Sequence, residues 1–165
     1  TFRSPGSRQL VVRSRRPSGL RAPRRSRDES DSRPHVLPVA SGRIGARIGI
    51  VPPVLDVMVE QGAPIDRIGA FLGPAASGRQ YEVPAAMQAD VEKFLPGSAV
   101  RTVKGTPGLD LRAGLRKQLL DAGVGGVAED PRCTIEDQTL FSHRRQAPTG
   151  RLAAVIWMDT GQDSV

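Results

Sequence analysis

A chain of 165 residues, 38% of them hydrophobic, is long enough for one domain with a real core and too short for two ordinary ones. Aromatic residues make up only 4%, so that core must be built mainly from Val, Leu, Ile and Ala. A formal charge of +7 usually signals nucleic acid or an anionic surface, but residues 1–38 hold ten Arg against three acids. Residues 39–165 hold fourteen Lys plus Arg and fourteen Asp plus Glu, so the whole excess belongs to the first quarter of the chain.

The single cysteine, Cys133, excludes an internal disulfide and fits a reducing compartment. No apolar run reaches the roughly eighteen residues a membrane span needs, and no apolar segment follows the N-terminal arginines as in a secretory signal. The cytoplasm is the expected location.

Residues 1–38 are dominated by Arg, Ser and Pro, with Leu10, Val11 and Val12 as the one apolar cluster. Such a stretch buries too little apolar surface to offset the entropy of ordering it, and is expected to be disordered. From Val39 the composition becomes that of an ordinary α/β protein. Pro52 and Pro53 open a helix that carries Val54, Leu55, Met58 and Val59 and ends at Gly62. Residues 68–72 read as a short strand running into Gly73 and Pro74. A second helix starts near Pro84, presents Met87, Val91, Phe94 and Leu95, and stops at Pro96 and Gly97. Residues 99–103 are expected as a strand. A third helix follows Asp110, with Leu111, Leu115, Leu119 and Leu120 on one face and Gly123 as its stop. Residues 126–128, 140–142 and 152–158 read as further strands, the last continuously apolar and so central to a sheet.

Three stretches carry a family resemblance: FLGPAASGRQYEVPAAM at 71–87, GTPGLDLRAGLRKQL at 105–119, and DPRCTIEDQTLFSHRRQAPTGRLAAVIWM at 130–158. The third is the most specific, with its order of Cys-Thr, Phe-Ser-His-Arg-Arg, Gly-Arg and an apolar strand ending in Trp. Residues 39–165 resemble the C-terminal half of a YfiH-type purine nucleoside phosphorylase, the laccase-domain or polyphenol oxidase family, in its actinobacterial version. The resemblance implies an α+β fold of mixed β-sheets flanked by helices, incomplete on its N-terminal side. It implies phosphorolysis of adenosine, inosine and methylthioadenosine, with an adenosine deaminase side activity and a zinc (or copper) ion held by two His and one Cys. An ion with three protein ligands and one open position activates water or polarises a substrate.

This sequence departs from that ligand set. The position matching a family histidine is Ala40, the expected cysteine position falls near Pro23, and the other histidine would lie upstream of Thr1. Metal binding and activity are therefore expected to be lost. His35 matches no family position and reads as a solvated loop residue. Cys133 matches a different motif and, with no base beside it, reads as buried at a strand start rather than as a nucleophile.

The remaining candidates are polar. His143 and Arg144 are the catalytic candidates, an acid and a phosphate clamp; Arg43, Arg79, Tyr81 and Arg145 are the phosphate- and purine-binding ones. Guanidinium grips phosphate bidentately, and Tyr81 stacks on a purine or packs in the core. Ion pairing at a sheet edge would equally account for residues 143–145. Gly42, Gly73 and Gly108 are expected to serve backbone geometry.

Two other readings compete with an enzyme. Clustered arginines in residues 1–38 would bind nucleic acid nonspecifically, although Phe2 is the one aromatic there that could stack a base. An Arg-rich, Lys-poor stretch that breaks off near residues 36–39 also fits a high-GC gene read in the wrong frame, leaving an inactive remnant of the family.

Overall fold

The structure is a computed structural model, and it describes Val39 and residues 42–152. The expectations for residues 1–38, Ala40 and the apolar segment 153–158 lie outside the described residues.

Among the described residues, four α-helices and four strands follow in chain order: α1 (Arg43–Arg47), α2 (Val51–Glu60), β1 (Gly69–Leu72), α3 (Ala85–Phe94), β2 (Ala99–Arg101), β3 (Pro107–Leu109), α4 (Leu111–Asp121) and β4 (Gly126–Glu129), with a 3-10 turn at Ile65–Arg67 before β1. Strands β1 and β4 pair in parallel, with Phe71 opposite Ala128; β2 and β3 pair antiparallel, with Val100 opposite Gly108. This is the expected α+β architecture with mixed sheets flanked by helices.

Local chemistry sets the helix ends. Helix α2 carries proline in its first turn, where the missing N–H has no partner to lose, and Gly62 at φ 90° follows its last turn. Helix α4 is capped by Asp110, whose carboxylate accepts from Ala113 N at 3.0 Å, and Gly123 at φ 87° lets the chain leave it. The end of α3 is satisfied by its own Glu92, whose carboxylate accepts from Gly97 N at 2.8 Å and Ala99 N at 2.7 Å. Those bonds, with a third from Ser98 Oγ at 3.2 Å, hold the Glu92 carboxyl below its ordinary pKa although burial pulls the other way more strongly than any one of them.

Two apolar clusters hold these elements together. Val83, Val91, Leu95 and Leu109 are buried between α3 and β3, with Tyr81, Leu111 and Leu115 packed against them. Val51, Leu55, Ile68, Leu119 and Val124 form the second, which Ala70, Leu72 and Val127 of the β1–β4 sheet cover. Leu115 of α4 touches both, so α4 is the shared wall. Each fully buried Leu or Val contributes about 1.5–3 kcal/mol of transfer free energy.

Four details differ from the sequence expectation. Phe94 is 51% exposed, with the Arg47 guanidinium 5.0 Å above its ring and Arg47 paired with Asp90. Val59 and Leu120 lie on the outer sides of α2 and α4, at 47% and 46% exposure. Residues 140–142 form no strand: the Leu140 carbonyl is taken by the Arg145 side chain, leaving no ladder to join. Gly73 has nothing within 4 Å of an added Cβ, whereas a Cβ on Gly108 would lie 2.7 Å from Thr102 Cγ2.

Candidate functional site

The parallel pair β1–β4 sends two loops out from the same end of its sheet, and carboxyl ends of parallel strands are where α/β folds build ligand sites. The loops stay in register past the strands. Asp130 N donates to Leu72 O at 2.9 Å, and Thr134 N donates to Ala75 O at 3.0 Å beside the Ala75–Cys133 bridge. Cys133 is 6% exposed, and its Sγ accepts the Ser77 N–H at 3.3 Å. Buried Arg112 of α4 reaches across to donate to the carbonyls of Asp130 and Arg132, anchoring the second loop to the helix.

The first loop then turns back along β3. Leu109 N donates to Tyr81 O at 3.0 Å and Val83 N to Pro107 O at 3.0 Å, which makes residues 81–83 an irregular third strand. This fixes Tyr81, whose ring packs on the first core cluster while the Arg144 guanidinium covers it at 5.1 Å. Arg144 also donates to the Glu82 carbonyl. Gln80 Nε2 donates to Glu136 Oε1 at 2.8 Å, joining the two loops side chain to side chain.

Between them opens a cleft of about 610 Å³, lined by Gln80, Glu82, Val83, Pro84, Lys104, Ile135 and Arg144. Two cations, Lys104 and Arg144, meet an apolar wall of Val83, Pro84 and Ile135. Lys104 Nζ lies 3.8 Å from Glu82 Oε2 with both side chains well exposed, a pair that solvent screens strongly. Such a cleft suits a small molecule with an anionic group and an apolar body.

Among the residues singled out in the sequence, the structure brings Tyr81 and Arg144 together. Arg145 lies beside them but is turned away: its guanidinium donates to the carbonyls of Thr134 at 2.8 Å, Asp137 at 2.9 Å and Leu140 at 2.6 Å. His143 and Arg79 are exposed and do not line the cleft. Arg43 opens α1; the hydrogen bond from Arg47 is what chiefly holds the Asp90 carboxyl below its ordinary pKa, and the charge of Arg43 is the smallest of the contributions. Sequence reasoning missed Gln80, Lys104 and Ile135. Lys104 alone carried a signal, as a cation in a turn before a glycine.

Fold and cleft together define an α+β domain whose loops, beyond its short parallel pair, enclose an open cleft carrying Lys104, Arg144 and Glu82. Residues 31–159 match the family model described as multi-copper polyphenol oxidoreductase laccase, and the chain belongs to that family. It is 58% identical over 121 residues to a purine nucleoside phosphorylase of Mycobacterium tuberculosis, covering 73% of this chain and 48% of the relative. A purine nucleoside phosphorylase of Corynebacterium glutamicum is 56% identical over 123 residues, 74% of this chain and 50% of its own. A crystal structure of a Neisseria meningitidis protein superposes with TM-score 0.53 at 28% identity, covering 64% of this chain and 44% of that one. The chain thus spans about half the length of the curated relatives it matches.

The zinc or copper that the resemblance implies does not fit the residues described. Cys133 and His143 are the only Cys and His among them; the thiol is buried on a backbone N–H and the imidazole is exposed. No group of three His, Cys, Asp or Glu side chains comes together among the described residues. No helix among them is long and apolar enough to cross a membrane.

Proposed function

We propose that residues 39–165 are the C-terminal part of a purine nucleoside phosphorylase and that this part supplies an anion subsite, for phosphate, at Arg144 and Lys104. The observation that carries the reading is the pairing of those two cations across one cleft in a chain of this family. Arg144 is held by a ring and a carbonyl rather than by a carboxylate, so an incoming phosphate gains its charge without breaking an ion pair. The apolar wall formed by Val83, Pro84 and Ile135 faces the nucleoside. A purine reaches the Tyr81 ring when Arg144 lifts from it, which couples the phosphate contact to the base contact.

In this proposal residues 42–152 bind phosphate without turning a nucleoside over, since no group able to hold a metal comes together among the described residues. Cleavage of adenosine, inosine or methylthioadenosine, and deamination of adenosine, then require residues outside those described. Tyr81, the one tyrosine in the chain, reports directly on the cleft. Titration with inorganic phosphate, then with inosine, is expected to shift the Tyr81 ring resonances in the wild-type chain and not in Arg144→Gln. Shifts of equal size in both would refute the subsite.

A second reading rests on charge. Residues 1–38 carry the whole net +7 and support an accessory, salt-dependent hold on nucleic acid without sequence preference.

A further inference from the structure

Four backbone carbonyls from residues 134–140 converge on a single side chain. Arg145 Nη1 donates to the oxygens of Thr134 at 2.8 Å, Asp137 at 2.9 Å and Ile135 at 3.4 Å, and Nη2 donates to Leu140 O at 2.6 Å. These carbonyls belong to a loop with no strand to pair with, so the guanidinium stands in for a missing ladder. A planar fork with five N–H groups can serve several carbonyls at once, whereas a lysine ammonium is a compact point charge.

We infer that Arg145 is the positioning residue of the cleft and that its neighbour Arg144 is the group that meets the anion. This rests on the reading of the cleft as a phosphate subsite. The loop Arg145 holds carries Ile135, a wall of the cleft, and Glu136, which takes the Gln80 bond from the opposite loop. With one guanidinium spent on the loop, the preceding residue, Arg144, is fixed at its backbone and its own guanidinium falls on Tyr81 and the Glu82 carbonyl. Two adjacent arginines thus divide the work: Arg145 builds the wall and Arg144 works from it.

The test uses the full 165-residue chain with Arg145→Gln, Arg145→Lys, Arg144→Gln and, as a remote control, Arg116→Gln. Arg116 also donates to a carbonyl, Val127 O at 3.1 Å, but that carbonyl belongs to β4 and not to the cleft loops. Tyr81 ring resonances are recorded for each, with backbone amides of Val91 and Leu109 checking that the core is intact. Inorganic phosphate is then titrated in. Arg145→Gln is expected to move the Tyr81 resonances towards those of Arg144→Gln and to weaken phosphate binding about ten-fold. Arg145→Lys is expected to fail in the same way, since charge without the fork does not hold four carbonyls; Arg116→Gln should leave both readouts unchanged. Tyr81 resonances unmoved in Arg145→Gln, or full rescue by Arg145→Lys, would overturn the inference. If the wild-type chain binds no phosphate, the subsite fails, while the Tyr81 comparison still decides whether Arg145 positions Arg144.

Discussion

Replacing Gly78 by alanine drives a methyl group to 2.8 Å from both Asp110 Cβ and Val100 Cγ2, and to 3.1 Å from Asp110 Oδ2. Gly73 lies in the same loop, and an added Cβ there meets nothing within 4 Å. Neither glycine has positive φ, so backbone strain is equal and the two substitutions differ in sterics alone. Overpacking of this kind costs about 1–3 kcal/mol. Asp110 cannot simply move aside, because Oδ1 caps α4 at Ala113 N and Oδ2 accepts from Gly78 N at 3.4 Å. Disturbing the cap adds about 1 kcal/mol, and the lower entropy of the unfolded alanine chain returns about 0.4–1 kcal/mol. Gly78→Ala is therefore expected to lose about 2 kcal/mol and Gly73→Ala to gain about 0.4–1 kcal/mol. At about 4 °C per kcal/mol for a domain of this size, the first lowers Tm by roughly 8 °C and the second raises it by a few degrees. Urea unfolding followed by far-UV circular dichroism checks both, with unchanged m-values confirming a stability effect. Equal shifts for the two variants would refute the packing of the Tyr81 loop against Asp110.

Three further outcomes follow from single features. Glu92 is ionised to lower pH in the folded chain than in the unfolded one, so its contribution is complete above the ordinary glutamate pKa and is lost as pH falls towards the folded value. Glu92→Gln should flatten the acid limb of the Tm–pH curve below roughly pH 4.3, and an unchanged limb would contradict the end bonding of α3. Phe71 is 52% exposed on the side of the β1–β4 sheet away from the second core cluster, and parallel sheets are normally covered on both faces. This uncovered face is expected to make the chain self-associate, and Phe71→Ser should reduce that association in sedimentation velocity without lowering Tm; association equal in the two chains would show that this face is not the adhesive one. Removing residues 1–38 takes the formal charge from +7 to zero and should abolish salt-sensitive nucleic-acid binding, so equal binding by the truncated chain would defeat the charge argument.

Punctuation made most of the architecture readable. Proline and glycine bracket α2 and α3, Asp110 and Gly123 bracket α4, and apolar spacing inside those brackets gave the buried faces. Helix α1 was not visible because it is five residues long, begins at Gly42 without a side-chain cap, and leaves Ile44 and Ile48 67% and 71% exposed. Strand β3 was hidden in Pro107-Gly108-Leu109, where proline and glycine read as a turn and only the neighbours of Gly108 reveal why glycine is needed. Phe94 looked like core because periodicity does not report the cation that covers it.

The site was legible as a motif and not as a geometry. The run from His143 to Arg145 reads as three polar side chains for one anion site, yet one is exposed outside the cleft, one covers Tyr81 and one gathers loop carbonyls. That division depends on residues 134–140 folding back without a partner strand, which no local pattern announces. Lys104 and Ile135 reach the cleft from turns distant in sequence, so their roles arise from the register of β1 with β4 and of β2 with β3.

The most direct test of binding without turnover combines elemental analysis of the purified 165-residue chain with phosphate-dependent cleavage of adenosine and inosine. The account predicts no stoichiometric zinc or copper and no measurable phosphorolysis, from a chain whose Tyr81 resonances nonetheless respond to phosphate. One metal ion per chain, with cleavage abolished by a chelator, would contradict it.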